Sequence, residues 1–410
     1  MNDFLNGRRL TGWCRILAVM MALWAVLSIA QAALGGKGAG KDLAADFTCY
    51  FSAGRLVRQG TPAAVYAPEK LSAAEHVDRT LPAGSFFPFY YPPPYLLLCL
   101  PLAFLPYWPA LILFLAVGLV PLIVALRRLL PANVSLLPAL AFPGVLVTAG
   151  TGQNGFFTAA CFGWFAVLAD ARPWLAGGCL GLLACKPQLA VLAPVALIAA
   201  GRWRSLAGAA VTFAVLSVVS VALFGLAPWA GFLASAGRAG TTITGGMADQ
   251  TKIQSTFIAA RLLGGGLTLA AVVQGVVTLA AVTVLLRFVR PRPGAQAEGA
   301  ALAAAALLAT PYLADYDLVC LAPPLAVALT RGSVVGWGRW DKLLLLAAYL
   351  TPLLSRGIAG RTDLQLAPLA IAGLFFVLTR KMGSGAATRK LAAQVGPSLV
   401  RGQGPWLSCP

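Results

Sequence analysis

RPWLAGGCLGLLACKPQLAVLAPVALIAAGRWR, residues 172–204, decides how this chain is read. Two apolar runs, 173–185 and 187–201, are parted by Lys186-Pro187-Gln188. A helix rising about 1.5 Å per residue needs ~20 residues to cross a hydrocarbon core of roughly 30 Å, so neither run crosses alone. Merged into one helix, they would place Arg172 and the Arg202/Arg204 pair on opposite faces of the membrane, against the cytoplasmic preference of basic residues. A hairpin turning at Lys186, below the far surface, meets both constraints. Turns at that depth are tolerated only where they are buried in protein or line a cavity. An ammonium there is costly and is kept for a partner, either a substrate anion or a buried aspartate.

The rest of the chain follows the same logic. Hydrophobic residues make up 59% and charged residues 11%, and the mean hydropathy is +0.80. Apolar runs recur as far as residue 379, which a soluble core does not require. The chain is read as an all-α polytopic membrane protein with about twelve transmembrane helices: 12–34, 108–126, 134–150, 155–170, 173–185, 187–201, 205–226, 265–286, 299–313, 318–330, 341–354 and 365–379. The first is a retained helix rather than a cleaved signal, because its apolar run is long and no cleavage site precedes Lys37. Segment 95–105, bracketed by prolines, is expected to be re-entrant or interfacial. The expected layout is one transmembrane domain over 1–380, extracytoplasmic loops at 35–94 and 228–264, and a basic cytoplasmic tail at 381–410.

The net charge of +18 comes from residues scattered between apolar spans, not gathered into a groove. That pattern describes membrane topology and excludes a nucleic-acid partner. With both termini cytoplasmic, the inner side carries a net +15 and the outer side +3. The acids therefore concentrate outside, where four polar clusters converge: Asp46 with Tyr50; Thr151-Gly152-Gln153-Asn154; Lys186-Pro187-Gln188; and Tyr312 with Asp315-Tyr316-Asp317, the turn of a second short hairpin. Tyr91, in Tyr90-Tyr91-Pro92-Pro93-Pro94, closes the first loop.

Each cluster has a structural alternative. Asp46 is a candidate base for a substrate delivered from lipid, or a solvated loop residue. Asn154 suits a helix-start turn, and Asp315 and Asp317 suit helix caps. A fifth, weaker cluster is Lys252-Ile253-Gln254-Ser255-Thr256 in the second long loop, where Lys252 reads as a surface charge. His76 is the sole histidine and the eight cysteines show no paired spacing, so neither a zinc site nor a disulfide set is expected. No Gly-rich loop follows a strand, so a soluble nucleotide-sugar donor is not indicated.

In order and spacing, these pieces resemble glycosyltransferase family 87, relatives of the mycobacterial polyprenol-phosphate-mannose-dependent alpha-1,2-mannosyltransferases. The resemblance is carried by Asp46-Phe47-Thr48-Cys49-Tyr50-Phe51-Ser52-Ala53-Gly54, Tyr66-Ala67-Pro68, Tyr91-Pro92-Pro93, Leu100-Pro101, Gly152-Gln153-Asn154, Lys186-Pro187-Gln188, Gly201-Arg202-Trp203-Arg204 and Thr310-Pro311-Tyr312 with Asp315-Tyr316-Asp317-Leu318. Near Tyr316-Asp317 the chain departs from the mycobacterial members, which carry histidine there. The resemblance implies a GT-C-like bundle whose first extracytoplasmic loop is catalytic, with Asp46 as the acid-base residue. It also implies a bacterial inner-membrane enzyme of the hexosyltransferase type, with a polyprenyl-phosphate sugar as co-substrate, a glycan or glycolipid acceptor and no bound cofactor.

The substrate-binding set is then Tyr50, Tyr91, Gln153, Asn154, Lys186, Gln188, Tyr312, Asp315, Tyr316 and Asp317. A divalent metal held by Asp46 with Asp315 or Asp317 is an open alternative. A lipid-linked sugar flippase or secondary transporter would also use broken helices and a midplane lysine. It should, however, show related halves, and none is evident.

Overall fold

The computed structural model describes residues 7–33, 43–79, 81, 84–131, 134–244 and 249–382. Among them every regular element is helical, and β pairing is limited to an isolated bridge between Ile253 and Ala314. Six helices are long and apolar enough to cross a membrane: Thr11–Gln31, Tyr107–Leu129, Trp203–Phe224, Leu267–Val289, Asp315–Val335 and Asp341–Thr362. Six more are apolar but shorter, among them Gly155–Leu168, Pro173–Cys185, Pro187–Ala199 and Ala295–Ala309. Six full-length spans are thus supported, and several of the other expected crossings are short helices. Span 134–150 is not one helix but two pieces, Leu137–Leu140 and Pro143–Thr151. Phe142 is extended (φ −67°, ψ 121°), as the residue before a proline is biased to be.

Both short pairs are hairpins. Arg202 bonds the Ala169 carbonyl at 2.9 Å and the Asp170 carboxylate at 2.7 Å, so residues 170 and 202 lie together. The chain between them must go out and come back, with Lys186 at the far point. Pro187 causes the turn: as the first helical residue it needs no partner for its nitrogen, and it drives Lys186 out of the helical region (φ −132°, ψ 74°). The second hairpin is rooted at the same end. Asp170 accepts from the Ala295 amide at 3.0 Å, and Arg331 reaches the Pro293 carbonyl at 3.4 Å. Burial works against the Arg202 charge, but Glu298 and Asp170 outweigh it and raise the pKa.

Small residues let the hairpins close. A Cβ on Gly177 would stand 1.9 Å from the Ser205 carbonyl oxygen, and one on Gly208 2.3 Å from that of Trp174. Helix Pro173–Leu182 therefore lies in backbone contact with Trp203–Phe224, the small-residue packing by which membrane helices associate. Ala295–Ala309, nearly all alanine and leucine, is buried all round and forms the centre. The opposite case is Trp203–Phe224, whose Val218 is 67% and Leu223 62% exposed; such an apolar outer face suits lipid.

The first long loop is built largely of helices. Where described, it holds Phe47–Arg58, a 3-10 turn at Pro62–Tyr66 and Pro68–Asp78. Phe47–Arg58 is almost wholly buried, because Gly54 lets it approach the Cys99 carbonyl of Leu96–Leu102. That second helix has only 7 residues, too few to cross. The loop expected over 228–264 likewise holds Ala227–Thr244 and Thr256–Leu262. Of the tail expected over 381–410, all beyond residue 382 lies outside the described residues.

Candidate functional site

Asp46 precedes Phe47–Arg58 at the N-cap position, yet its side chain makes no cap bond. The backbone just before it is fixed instead: the Ala44 amide bonds the Gly150 carbonyl at 2.7 Å, and Tyr107 donates to the Ala44 carbonyl at 3.1 Å. Asp46 is buried, not solvated. Its Oδ2 accepts from the Lys252 ammonium at 2.6 Å and from Gln153 Nε2 at 3.1 Å. Lys252 is therefore not the surface charge expected. No local signal marks it, since its partner lies 206 positions away in the chain. The clue available was a surplus of basic residues on the side where the acids gather.

Gln153 belongs to an aromatic floor. Its Oε1 accepts from Tyr50 and, at 3.4 Å, from Tyr91; the two phenols are 2.7 Å apart. Tyr91 stacks on Tyr95 with ring centres 4.5 Å apart. Gly152 sets this up. It ends Pro143–Thr151 in a left-handed conformation (φ 71°), and a Cβ there would lie 2.8 Å from the Cβ of Phe47.

Lys186, also buried, donates to Asp317 Oδ1 and to Asn154 Oδ1, the latter at 3.0 Å. The apices of the two hairpins are thus joined by an ion pair. Asn154 stands at the start of Gly155–Leu168 but makes no side-chain cap bond; its Oδ1 accepts from the lysine instead of capping the helix. Asp317 does both jobs: its Oδ2 accepts from the Ala314 amide at 3.3 Å. Asp315 turns to its own neighbour, the Tyr316 amide, at 2.8 Å and to Arg356 at 3.5 Å.

Tyr316 lies between the two cations. The Lys186 ammonium is 4.9 Å and the Lys252 ammonium 5.5 Å from its ring centre, within reach of cation–π attraction. Gln188 and Tyr312 are half-buried, and their side chains are not bonded into this network. His76 sits exposed on Pro68–Asp78 with Nδ1 2.8 Å from the Ser72 carbonyl.

Asp46, Asp315 and Asp317 each pair with a cation of the chain: Lys252, Arg356 and Lys186. Among the described residues no three His, Cys, Asp or Glu side chains cluster as a metal site requires.

In chemical terms the site offers one carboxylate and one ammonium of separate partnerships, bridged by the adjacent residues Gln153 and Asn154 and lined by tyrosines. Neither a curated protein nor a solved structure matches the chain. A sequence model of one family does, over residues 89–324, more than half the length. That region takes in Gln153, Lys186, Lys252 and Asp317 and begins beyond Asp46. On that match, the chain belongs to glycosyltransferase family 87.

Proposed function

We propose that this protein moves a hexose, mannose by the resemblance of its sequence, from a polyprenyl phosphate to a hydroxyl of a glycan or glycolipid. The fold is read as GT-C-like. The end of the bundle bearing Arg202, Arg292 and Arg331 is assigned to the cytoplasm, which puts Asp46 and Lys186 outside it.

One observation carries the reading. The carboxylate and the ammonium needed at the two ends of a reacting glycosyl phosphate are held by neighbouring residues, beside one tyrosine ring.

The acceptor hydroxyl gives its proton to Asp46 as its oxygen attacks the anomeric carbon from the face opposite the phosphate. The bond from that carbon to the phosphate oxygen breaks, and its electron pair leaves with the phosphate. The anomeric configuration inverts. The leaving phosphate needs little protonation but gains charge, and Lys186 offsets that charge in a site with little water, where fixed charges act strongly. Asp317 is the counter-ion that faces Lys186 when no donor is bound. One carboxylate suffices; the paired acids of a glycosidase are not needed. Gln188 and Tyr312, not tied into the network, are assigned to the sugar, and Tyr316 to the ring between the charges.

The test is to incubate membranes containing the protein with radiolabelled polyprenyl-phosphate mannose and, separately, glucose. Label from mannose should leave the lipid for a glycan or glycolipid. Label staying on both lipids overturns the reading.

A further inference from the structure

Lys252 is carried by a short strap that is pinned to the second hairpin's turn. The Lys252 carbonyl accepts from the Asp315 amide at 2.9 Å, and the Gln254 amide donates to the Leu313 carbonyl at 2.5 Å. Gln365 grips the strap from the other side, donating to the carbonyls of Gln250 at 3.2 Å and Ile253 at 2.6 Å. Arg356 ties Asp249 at 2.7 Å and Asp315 at 3.5 Å together. The backbone of Lys252 is thus fixed to the same turn that offers Asp317 to Lys186. Its ammonium is fixed too, at 2.6 Å from Asp46 Oδ2.

Gln153 donates to that same oxygen at 3.1 Å, and its own rotamer is held by Tyr50 and Tyr91. Both donors sit on one oxygen, and among the described residues no hydrogen bond reaches the other, Oδ1. We propose that Lys252 is a positioning residue for Asp46: with Gln153 it locks Oδ2, so that Oδ1 is the atom that takes the acceptor's proton. This rests on Asp46 being the base. In the transfer step the acceptor O–H bond breaks toward Oδ1, while Lys252 stays bonded to Oδ2 and balances the carboxylate. A strap anchored at four backbone points suits such a fixed role better than that of a mobile phosphate ligand.

The experiment uses the full chain in lipid nanodiscs, with polyprenyl-phosphate mannose as donor and a membrane glycolipid extract as acceptor. Lys252→Met should lower kcat by about 100-fold, the scale of a misplaced reacting group, with the donor KM within about twofold. Lys252→Arg, which keeps the charge and a donor, should recover at least about tenfold of that loss. In an Asp46→Asn background, Lys252→Met should cost nothing further, since residues acting as a unit are not additive. An unchanged kcat, or a loss seen wholly in donor KM, overturns the proposal.

Thermal unfolding of wild type, both single variants and the double variant reads the contact without any transfer. Non-additive shifts are expected, and strictly additive ones sink the pairing. Full transfer by Asp46→Asn would instead remove the base reading on which the proposal rests. The two failures are therefore told apart.

Discussion

Asp46 and Lys186, far apart in the sequence, are held by adjacent residues: Gln153 donates to the carboxylate at 3.1 Å, and Asn154 accepts from the ammonium at 3.0 Å. The dipeptide sits where the left-handed Gly152 ends one helix and Gly155–Leu168 begins the next. A rigid element thus sets the relation between two opposite charges. Fixed dipoles and charges of this kind stabilise charge that develops during a reaction without reorganising.

Asp46→Asn should reduce transfer by at least about 100-fold, the usual contribution of a general base. The protein should still insert and still unfold cooperatively, since the amide keeps the size of the side chain. Sugar transfer and thermal unfolding measured on one preparation check this. Transfer near the wild-type rate would put the base elsewhere.

Lys186 has two readings, a phosphate partner and a structural cation for Asp317, and a pair of variants separates them. Lys186→Ala alone strands a buried carboxylate, which costs about 3–5 kcal/mol by the behaviour of broken buried pairs. Lys186→Met with Asp317→Leu removes both charges and should restore most of that stability. Transfer should not return with it. A double variant that regains activity as well as stability would leave Lys186 a purely structural role.

How much of this was legible in the sequence depends on which physics fixes each part. The hairpins at Lys186 and at Asp315-Tyr316-Asp317 followed from run length, flanking arginines and Pro187, all local signals, and Arg202 beside Asp170 bears out the first. The clustering of Asp46, Gln153, Asn154, Lys186 and Asp317 followed from assigning polar groups to one side. The partnerships inside the cluster did not. Whether Lys186 meets Asp315 or Asp317 depends on the rotation of a 3-10 turn, which composition does not encode. Lys252 was misread because a lone lysine in a polar segment carries no mark of its distant partner.

The helices of the first loop are hidden in the sequence for a different reason. Its helix Phe47–Arg58 has polar residues on several faces, but Thr48 and Ser52 are buried with partners of their own: Thr48 lies 3.0 Å from the Tyr107 hydroxyl, and Ser52 donates to Asp78 at 2.7 Å. Burying such paired polar groups leaves the helix with little net hydropathy, so it does not read as part of an apolar core.

Gly152→Ala should disturb the site through the backbone. A left-handed conformation costs an alanine about 1–2 kcal/mol, and the new Cβ would press on Phe47 and Ala44 at 2.8 and 3.0 Å, beside Asp46. Both melting temperature and transfer should fall. Gly275→Ala, on Leu267–Val289 with no atom within 4 Å of a built Cβ, should change neither. Equal behaviour of the two variants would mean that the Gly152 turn does not position Asp46.

Glu75 makes the stability of the first loop depend on pH. It is buried, its Oε2 accepts from the Phe87 amide at 3.1 Å, and its Oε1 has no partner. Burial raises its pKa to about 8 from 4.5; the Phe87 bond opposes the shift and nearby Asp78 adds to it. The folded protein therefore binds this proton more tightly than the unfolded chain does. Where the folded state holds the extra proton, stability falls as pH rises, here from about 4.5 to about 8, and levels off above that. Phe87 belongs to the segment leading to Tyr91, so the loss falls on the wall of the site. Glu75→Gln keeps an acceptor for Phe87 and cannot ionise. Its melting temperature should be flatter than that of wild type between pH 5 and 8 and higher at the upper end, on the same linkage. Parallel curves for the two proteins would show that Glu75 does not titrate in that range.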